Sequence, residues 1–383
     1  MHVVVVGGGI VGLASAYALA DRGAAVTVCE KGSIGGSGST ERAVGGIRAQ
    51  FSTPVNVALS VASMRVWERF EERFGTDVGY RRTGYLFLAR EEESARQFRE
   101  SLAVQREAGV PSRWCSPAEA HERCGGIRPD RFVGATYSPT DGFADPSLAL
   151  GVYARVAADA GAEIRTKTTV TGIRERDGRI VGVETEEGPI AADYVLNAAG
   201  PWARRISRMA GRELPIAPKR RQVAVVEPET PIPEDDPLTI DFDTGSYFRP
   251  ERGGDALVGG HFSGSDPDRD PDGYGSSMDF EWAIEALEAV AEWTEYFGPE
   301  SRIKRGWAGL YAVTPDHHPI VEETRPGLLT AAGFSGHGFQ HAPATGRLVA
   351  ELALDGEASL VDIGALSSRR FTGDGLVDET NVV

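Results

Sequence analysis

The fold is decided by one stretch near the start of the chain, Val3-Val4-Val5-Val6-Gly7-Gly8-Gly9-Ile10-Val11-Gly12. The run of valines predicts a buried strand, and the glycine-rich turn after it leads into a helix. A second predicted strand, Ala25 to Cys29, ends directly before Glu30. A strand, a GxGxxG turn, a helix and an acidic residue about twenty positions on together predict a dinucleotide-binding unit.

Each glycine of this turn has a physical task. Gly7 permits the tight turn, Gly9 lets the backbone approach a pyrophosphate, and Gly12 lets the helix pack close to the strand. The helix N-terminus then offers free N–H groups and the positive end of its dipole to phosphates. Glu30 is placed to accept from a ribose hydroxyl, and it would repel a 2′-phosphate, so NADP is disfavoured. A glycine-rich turn without a ligand is the alternative.

The composition bounds the class of protein. A length of 383 residues suggests two domains, and 41% hydrophobic with 25% charged residues is typical of a globular protein. The net charge of −16 argues against nucleic acid and against anionic lipid as partners. Lysine is scarce beside arginine. Two alternatives explain this acidic, lysine-poor composition equally well: a proteome adapted to a high-salt cytoplasm, or a GC-rich genome that encodes arginine in place of lysine.

The cysteines indicate a reducing compartment. Cys29, Cys115 and Cys124 are odd in number and scattered, without a CxxC pair, so neither a disulfide framework nor a zinc site is predicted. A signal peptide and a bilayer-spanning apolar run are not visible. We therefore predict a cytoplasmic protein, with attachment to a membrane through a partner left open.

A second glycine-rich turn lies in the stretch Ala331-Ala332-Gly333-Phe334-Ser335-Gly336-His337-Gly338-Phe339-Gln340. It again links a predicted strand to a helix N-terminus, which suits close approach to a planar or anionic group. A reduced flavin carries negative charge that a helix N-terminus stabilises. A turn before a core helix explains this stretch equally well alone, but the first fingerprint favours a flavin. Gly32 to Arg48, rich in Gly and Ser, would wrap a pyrophosphate or act as a flexible linker.

Pieces of the dinucleotide fold occur at the start, middle and end of the chain, with antiparallel pieces between them. Between these ends we predict a helix from Asp145 to Gly161 with Asp145 as N-cap, and a hairpin turning at Asp177-Gly178. We predict antiparallel strands at Gln222–Val226, Tyr247–Arg249 and Ala256–Val258. The chain after Ile363 is expected to pack poorly.

Five segments resemble the D-amino acid oxidase superfamily of FAD enzymes: VVVVGGGIVG, GGIRAQFSTPVN, VLNAAGPW, LYAVTPDHHPI and AAGFSGHGFQHAPATG. Within it the chain is most similar to the sarcosine oxidase, dimethylglycine oxidase and L-proline dehydrogenase beta-subunit group. The resemblance spans roughly Val3 to Leu354. It implies an α/β fold, α+β overall: a Rossmann-like FAD-binding domain with a discontinuous antiparallel-sheet substrate domain. The expected bounds are 1–80, 142–218 and 300–365 for the FAD domain, 81–141 and 219–299 for the substrate domain, and 366–383 for a tail.

The resemblance also implies a reaction. FAD would lie across the dinucleotide domain with a substrate amine over it, beneath the antiparallel sheet. A hydride would pass from the substrate α-carbon to flavin N5, and the imine would hydrolyse in water. The partners implied are a small amine or amino acid and an electron acceptor, which is a protein, a quinone or O2. A partner subunit or a homo-oligomer stays open.

Position by position, the resemblance assigns the following cofactor-binding residues: Gly7, Gly9, Gly12, Glu30 and Lys31 for the ADP half, Ser39, Thr40 and Arg42 near the pyrophosphate and ring, Val170 at the adenine, Gly200 and Trp202 in the AGxW turn, and Gly333, Gly336, His337, Gly338 and Phe339 at the flavin ring. The predicted catalytic residues are Arg48, Tyr247 and His337.

In the resemblance, Arg48 aligns with an arginine that binds the substrate carboxylate. A guanidinium suits this task because it can donate two parallel hydrogen bonds to a carboxylate. The alternatives are a surface arginine at Arg48 and a core aromatic at Tyr247. We expect His261 and His318 to be structural. No metal is predicted, because His317-His318 lacks ligand spacing.

Three positions depart from the family pattern. Gly309 stands where the covalently flavinylated members have a cysteine, so FAD is expected to be non-covalent. Leu257 stands where the oxidases keep a lysine over the flavin, and the loss of that cation favours a dehydrogenase over an oxidase. Gln340 replaces a lysine that helps hold carboxylate, which leaves the substrate open.

Three functions are therefore weighed. The first is an FAD-dependent oxidoreductase that oxidises the C–N bond of a small amine or amino acid such as sarcosine, dimethylglycine or proline. The second is a flavin dehydrogenase of a hydroxy acid or polyol phosphate, which basic residues gathered over the ring would favour. The third is a non-catalytic flavoprotein that serves as an assembly factor or subunit.

Overall fold

The computed structural model describes residues 1–36, 38–262, 264–373 and 376–382. In these ranges, no helix has both the length and the apolar character needed to cross a membrane.

The strands are β1 (His2–Val6), β2 (Ala25–Cys29), β3 (Gly46–Ile47), β4 (Tyr85–Ala89), β5 (Arg113–Cys115), β6 (Gly134–Ser138), β7 (Gly142–Phe143), β8 (Glu163–Arg165), β9 (Val170–Arg176), β10 (Arg179–Thr185), β11 (Gly188–Ala191), β12 (Tyr194–Asn197), β13 (Ala217–Glu227), β14 (Leu238–Asp241), β15 (Tyr247–Pro250), β16 (Ala256–Gly259), β17 (Arg302–Val313), β18 (Ile320–Arg325) and β19 (Leu328–Ala332). The α-helices are α1 (Ile10–Asp21), α2 (Pro54–Trp67), α3 (Phe70–Phe74), α4 (Glu92–Glu107), α5 (Pro117–Arg123), α6 (Pro146–Asp159), α7 (Ala203–Met209), α8 (Phe280–Trp293) and α9 (Gly338–Leu354).

One sheet has the strand order β18-β19-β12-β1-β2-β8, and all its neighbours pair parallel except β18 with β19. The valines of β1 explain why it is central, because successive side chains of a strand point to opposite faces. Val3 and Val5 join the core with α1, α6 and α9, while Val4 and Val6 pack against the small sheet β11-β10-β9 and α7. A strand covered on both faces reads as a continuous apolar run.

The larger sheet has the order β17-β13-β16-β15-β14-β4-β6-β5, with only β14 and β4 parallel among its described pairs. Its outer face, including Leu86, Val226 and Phe248, packs against Trp293 and its neighbours on α8. Its other face carries residues such as Tyr85, and residues of β17 line a cavity together with residues of β1 and β19 from the first sheet.

The structure confirms the fold class, and it confirms several local elements. β2 has the predicted bounds, and Asp145 caps α6 by accepting from the N–H groups of Ser147 and Leu148. The β9–β10 hairpin turns at Asp177 and Gly178, both with positive φ (51° and 79°). Positive φ at both central residues is what a two-residue hairpin turn requires.

Two expectations need correction. β17 was not predicted, although it pairs along its length with β13, which runs five residues further N-terminal than the predicted strand. The expectation that the chain after Ile363 packs poorly holds only in part: Leu376 is 39% and Val377 70% exposed, but Glu379 is 1% exposed and Asn381 is 2% exposed. The domain bounds stay a prediction.

Candidate active site

The first cavity, of about 480 Å³, opens at the carboxyl ends of the strands of the smaller sheet. Gly7 follows β1, Glu30 follows β2, Gly200 follows β12 and Gly333 follows β19, and all four residues line it. The carboxyl ends of parallel strands are where α/β sheets place their ligands.

The first glycine turn forms one wall of this cavity. Gly7 has φ +111°, and a Cβ there would lie 2.6 Å from the carbonyl oxygen of Ala198. A Cβ on Gly12 would lie 2.0 Å from the carbonyl oxygen of Gly7, so helix α1 approaches β1 only because this side chain is absent. Gly9, the N-cap of α1, has no side chain to cap the helix, which leaves its positive dipole end directed at the cavity.

Polar side chains hold the loops around the first turn. The carboxylate of Glu30 accepts from the N–H of Gly8 and from the N–H of Gly32, both at 2.8 Å. The hydroxyl of Thr40 accepts from the N–H of Ile10 at 3.2 Å, at the start of α1. Glu30 thus fixes the geometry of the first glycine turn in addition to lining the cavity.

An ionic cluster stands at the edge of the first cavity. The ammonium of Lys31 lies 3.8 Å above the ring of Trp202 and 2.5 Å from the carboxylate of Asp272. The same carboxylate accepts from the indole N–H of Trp202 at 2.9 Å and pairs with Arg205. These donors lower the pKa of Asp272 below its ordinary value, beginning with the Lys31 hydrogen bond. Asp272 comes from the loop after β16 and ties that loop to the dinucleotide side.

The second glycine turn forms the opposite wall, at the N-terminus of α9. His337 is the N-cap of this helix and is half-buried, and desolvation, followed by the nearby Arg48 charge, lowers its pKa well below the ordinary value. His337 is therefore neutral. Its Nδ1 atom is buried and has no hydrogen-bond partner in the described ranges.

A second, smaller cavity of about 110 Å³ lies beside the first, under the inner face of the larger sheet. Residues shared by the two linings make the cavities adjacent: Ser39, Ala43, Leu310, Tyr311, Ser335, Gly336 and Phe339. Side chains of the larger sheet, together with the segments 39–48 and 335–340, wall the second cavity, whereas glycine turns form much of the wall of the first.

Arg48 is the charged centre of the second cavity. It is 7% exposed, and burial lowers its pKa. Its Nη1 donates to the carbonyl oxygen of Gln50, and its Nη2 donates to the carbonyl oxygen of Asn381 at 2.6 Å. The guanidinium lies 4.0 Å above the ring of Phe51. Among the described residues, no carboxylate forms an ion pair with it, so its charge is held by neutral acceptors and an aromatic face.

Tyrosines complete the polar lining. Tyr85, Tyr247 and Tyr311 all line the second cavity, and burial raises the pKa of each hydroxyl. They therefore remain neutral O–H donors at physiological pH. A buried cation beside O–H donors is a site for a small anionic group.

A supporting layer fixes the backbone of Arg48. The Gln340 amide accepts from the N–H of Arg48 at 3.1 Å and donates to its carbonyl oxygen at 3.2 Å. The carboxylate of Asp141 accepts from the N–H of Ala49 and from the Gln50 side chain. Asp141 is fully buried, and this burial raises its pKa to about 6.

The structure brings most of the predicted cofactor residues together. The following line the first cavity: Gly7, Gly9, Glu30, Lys31, Ser39, Thr40, Val170, Gly200, Trp202, Gly333, Gly336, Gly338 and Phe339. Arg42, Arg48, Tyr247 and His337 line the second cavity. Gly12 lies outside both linings, packed against Gly7. The roles assigned to these residues stay predictions.

The sequence analysis missed several lining residues. Tyr85, Arg221 and Tyr311 face the second cavity, and only their alternation along β4, β13 and β17 could have indicated it. Leu257 is buried beside Val223, and Val223 rather than Leu257 lines the second cavity.

The fold and the two adjacent cavities define a dinucleotide-dependent enzyme class, and comparison with known proteins names the family. The FAD dependent oxidoreductase family, DAO, matches residues 2–352. The chain belongs to the DAO family of FAD-dependent oxidoreductases, and FAD is its cofactor.

Relatives and solved structures agree with this assignment. The chain is 31% identical to the glycine oxidase of Geobacillus kaustophilus, over 97% of each chain. It is also 31% identical to FAD-dependent oxidoreductase domain-containing protein 1 of Xenopus laevis, over 100% of this chain and 84% of the other. The crystal structure of L-proline dehydrogenase from P. horikoshii superposes with a TM-score of 0.88 at 35% identity, covering 97% of each chain.

The residues present fit FAD. Two helix N-termini face the first cavity, and the Cβ-free turn at Gly7 and Gly12 leaves room for a pyrophosphate. The second glycine turn adds Gly333, Gly336 and Gly338 to the same lining, where the backbone can approach a planar group closely. A side chain at Gly309 would meet Arg42, since a Cβ there would lie 2.8 Å from the Cβ of Arg42.

Proposed function

We propose that this enzyme oxidises the C–N bond of a small amino acid or N-alkylated amino acid of the sarcosine, dimethylglycine or proline type. One observation carries the proposal: Arg48 is a buried guanidinium without a carboxylate partner in the described chain, and it faces a small cavity beside the cofactor cavity. The names of the relatives, glycine oxidase and L-proline dehydrogenase, support the same class of substrate.

The chain's own groups bind and orient the substrate. Arg48 takes the substrate carboxylate, and the hydroxyls of Tyr85 and Tyr247 donate to it, which places the α-carbon toward the cavity wall shared with the cofactor. Phe51 and Phe87 flank the guanidinium and exclude water from the ion pair, which strengthens it. His337 stays neutral and adds no second positive charge.

FAD bound between the two glycine turns would supply the acceptor for a two-electron oxidation of the substrate C–N bond, in which the α-carbon gives up a hydride equivalent and the amine a proton; water would then hydrolyse the imine to a carbonyl compound and an amine. We propose that FAD is held without a covalent bond at position 309, where glycine leaves no side chain to attach. We propose as well that the two glycine turns bind FAD, the first at its pyrophosphate and the second at its flavin ring.

We also propose that a dehydrogenase reaction is favoured over an oxidase reaction. Its support is the sequence resemblance, in which Leu257 stands where the oxidases keep a lysine whose charge promotes electron transfer to O2 by Coulomb attraction. The structure buries Leu257 beside Val223, outside the lining of both cavities, so this position supplies no cation to either. An electron-acceptor protein or a quinone then takes the electrons, in the cytoplasm or at a membrane through a partner. Oxygen uptake matched to substrate turnover would contradict this part of the proposal.

Flavin bleaching tests the substrate class. The holoprotein is mixed anaerobically with sarcosine, L-proline, dimethylglycine, glycine, D-alanine and glycerol 3-phosphate in turn, and the flavin absorbance band is followed. We expect an amino acid with a free carboxylate to bleach it. Arg48→Ala should raise the apparent KM roughly 100-fold, the size expected for removing a buried charge partner. Arg65→Ala, an exposed arginine on α2, is the matched control and should change nothing.

A second candidate has its own observation. Arg42 and Arg221 also line the second cavity, and basic residues over the ring favour a hydroxy acid or polyol phosphate. Arg221 is, however, paired with Asp266 at 2.9 Å, which neutralises it. Bleaching by glycerol 3-phosphate would favour this candidate, and a flavin that none of the compounds bleaches would favour a non-catalytic flavoprotein.

A further inference from the structure

The segment 376–382 returns to the second cavity's supporting layer. Glu379 and Asn381 are almost fully buried, while Asp378 and Thr380 between and beside them are exposed. Alternating burial of polar residues indicates that the segment is fastened by specific contacts and not by apolar packing.

Glu379 holds this segment to the start of α2 by hydrogen bonds. Its carboxylate accepts from the N–H and the hydroxyl of Ser52 (2.7 and 2.6 Å), from the N–H and the hydroxyl of Thr53 (3.1 and 2.7 Å), and from the Asn56 amide (3.1 Å). These donors keep its pKa below the ordinary value despite burial. Thr53 is the N-cap of α2, so the carboxylate also meets the positive end of that helix dipole.

Glu379 in turn holds Asn381, whose N–H donates to its carboxylate at 3.1 Å. The side chain of Asn381 is fixed on the other side, where its Oδ1 accepts from the Gln97 amide at 3.2 Å. Its main-chain carbonyl oxygen then accepts from Nη2 of Arg48 at 2.6 Å. A continuous chain of hydrogen bonds therefore runs from the start of α2 to the guanidinium.

We propose that Glu379 and Asn381 are positioning residues for Arg48. This inference rests on the proposed function, in which Arg48 binds the substrate carboxylate. Two neutral carbonyl acceptors, on Gln50 and Asn381, fix the orientation of the guanidinium and leave its charge available, whereas a carboxylate in the same place would neutralise it. Substrate affinity is thereby set by a segment more than three hundred residues away in the sequence.

The test measures ligand binding to the holoprotein. Pyrrole-2-carboxylate, a flat carboxylate, and pyrrole-2-carboxamide, its neutral counterpart, are titrated while the flavin absorbance spectrum is followed. We expect Glu379→Gln to weaken binding of the carboxylate about tenfold, the size of coupling between residues in one network, and to leave binding of the amide unchanged. The control is Asp378→Asn, which removes one negative charge from the neighbouring residue but leaves the hydrogen bonds of Glu379 intact. It should change the affinity for neither the carboxylate nor the carboxamide.

A double-mutant cycle separates the inference from the function beneath it. In an Arg48→Ala background, Glu379→Gln should weaken carboxylate binding no further, because the residue acts through Arg48. Two outcomes overturn the inference and leave the proposed function standing. In one, Glu379→Gln lowers carboxylate affinity equally in the wild-type and Arg48→Ala backgrounds. In the other, Glu379→Gln leaves carboxylate affinity unchanged while Arg48→Ala lowers it strongly. An Arg48→Ala protein that binds the carboxylate as tightly as the wild type overturns the proposed function instead.

Flavin content and the midpoint of urea unfolding are recorded for every variant, so that misfolding is detected. Should Glu379→Gln lose its flavin, Asn381→Ala takes its place. That variant keeps the main-chain carbonyl but removes the amide held by Gln97, and it should weaken carboxylate binding about threefold without affecting the carboxamide. Equal weakening of both ligands would overturn the inference.

Discussion

The two adjacent cavities are built in opposite ways. Backbone forms much of the wall of the first: two glycine turns and two helix N-termini face it, with Glu30, Lys31 and Trp202 among the side chains that complete it. The second is walled by side chains of the larger sheet and of the segments 39–48 and 335–340, with Arg48 and three tyrosines among them. A backbone site leaves a compact signature in the sequence, while a side-chain site is assembled from distant positions that carry no shared motif.

The largest expected effect breaks the backbone wall. Gly12→Val places a side chain 2.0 Å from the Gly7 carbonyl oxygen, in backbone that cannot move aside. We expect a cost of at least about 3 kcal/mol and a purified protein without bound flavin, measured as the ratio of flavin to protein absorbance. The control is Gly151→Ala, an exposed helical glycine with nothing within 4 Å, which should keep its flavin and gain up to about 1 kcal/mol in stability. Full flavin content in Gly12→Val would contradict the account of the first cavity.

The next largest effect concerns the pH dependence of stability at Asp141, which holds the backbone next to Arg48 in the second cavity. Asp141 has its pKa raised to about 6 by burial, so the folded protein binds this proton more tightly than the unfolded chain does. The stability that the protonated carboxyl contributes is present below about pH 4 and is lost as the pH rises through about 6. The free energy of unfolding of Asp141→Asn should therefore rise relative to wild type by about 3 kcal/mol between pH 4 and pH 7.

Urea unfolding of both proteins at several pH values measures that difference. A difference that stays constant from pH 4 to pH 7 would show that the carboxyl titrates at its ordinary pKa.

A smaller effect is expected within the side-chain wall itself. Tyr247→Phe removes one neutral donor but leaves the Arg48 charge, so binding of a carboxylate ligand should weaken by about 1 kcal/mol, roughly fivefold. The same titration with a neutral amide ligand is the control. Loss of amide and carboxylate binding to the same extent would place Tyr247 in the packing of the cavity instead of among its donors.

The smallest effect lies at the edge of the backbone wall. Asp272→Asn weakens the contacts to Lys31 and Arg205, which are partly exposed ion pairs worth less than about 1 kcal/mol. FAD should leave the variant up to about fivefold faster at low salt, and added NaCl should accelerate release from the wild type more than from the variant. Recovery of free FAD fluorescence after dilution measures the rate, and Asp255→Asn, which removes an ion pair to Lys304 outside both linings, is the control. Equal salt dependence in wild type and Asp272→Asn would contradict this role.

Local signals were sufficient for much of the fold. The bounds of β2, the Asp145 cap and the Asp177-Gly178 turn follow from residues within a few positions of each other, because strand alternation, capping and turn geometry are short-range effects. The first glycine turn belongs to the same group.

The rest depends on contacts between distant segments. β17 contains charged, glycine and aromatic residues without clear alternation, and its pairing with β13 gives it a strand conformation that its own sequence does not specify. Tyr85 and Tyr311 enter the site for the same reason, and contacts with Glu379 and with the Gln97 side chain hold Asn381 against Arg48. Sequence patterns report none of these long-range partners.

The unneutralised guanidinium of Arg48 has a practical consequence at the bench. A buried cation in a small cavity attracts any compact anion in the buffer, so we expect formate, acetate and chloride to compete with the substrate carboxylate. Apparent affinities will thus depend on buffer composition as much as on protein. Assays of this enzyme belong in a bulky zwitterionic buffer adjusted with NaOH and free of added chloride, because the buffer's own anionic group is then too large for a small cavity.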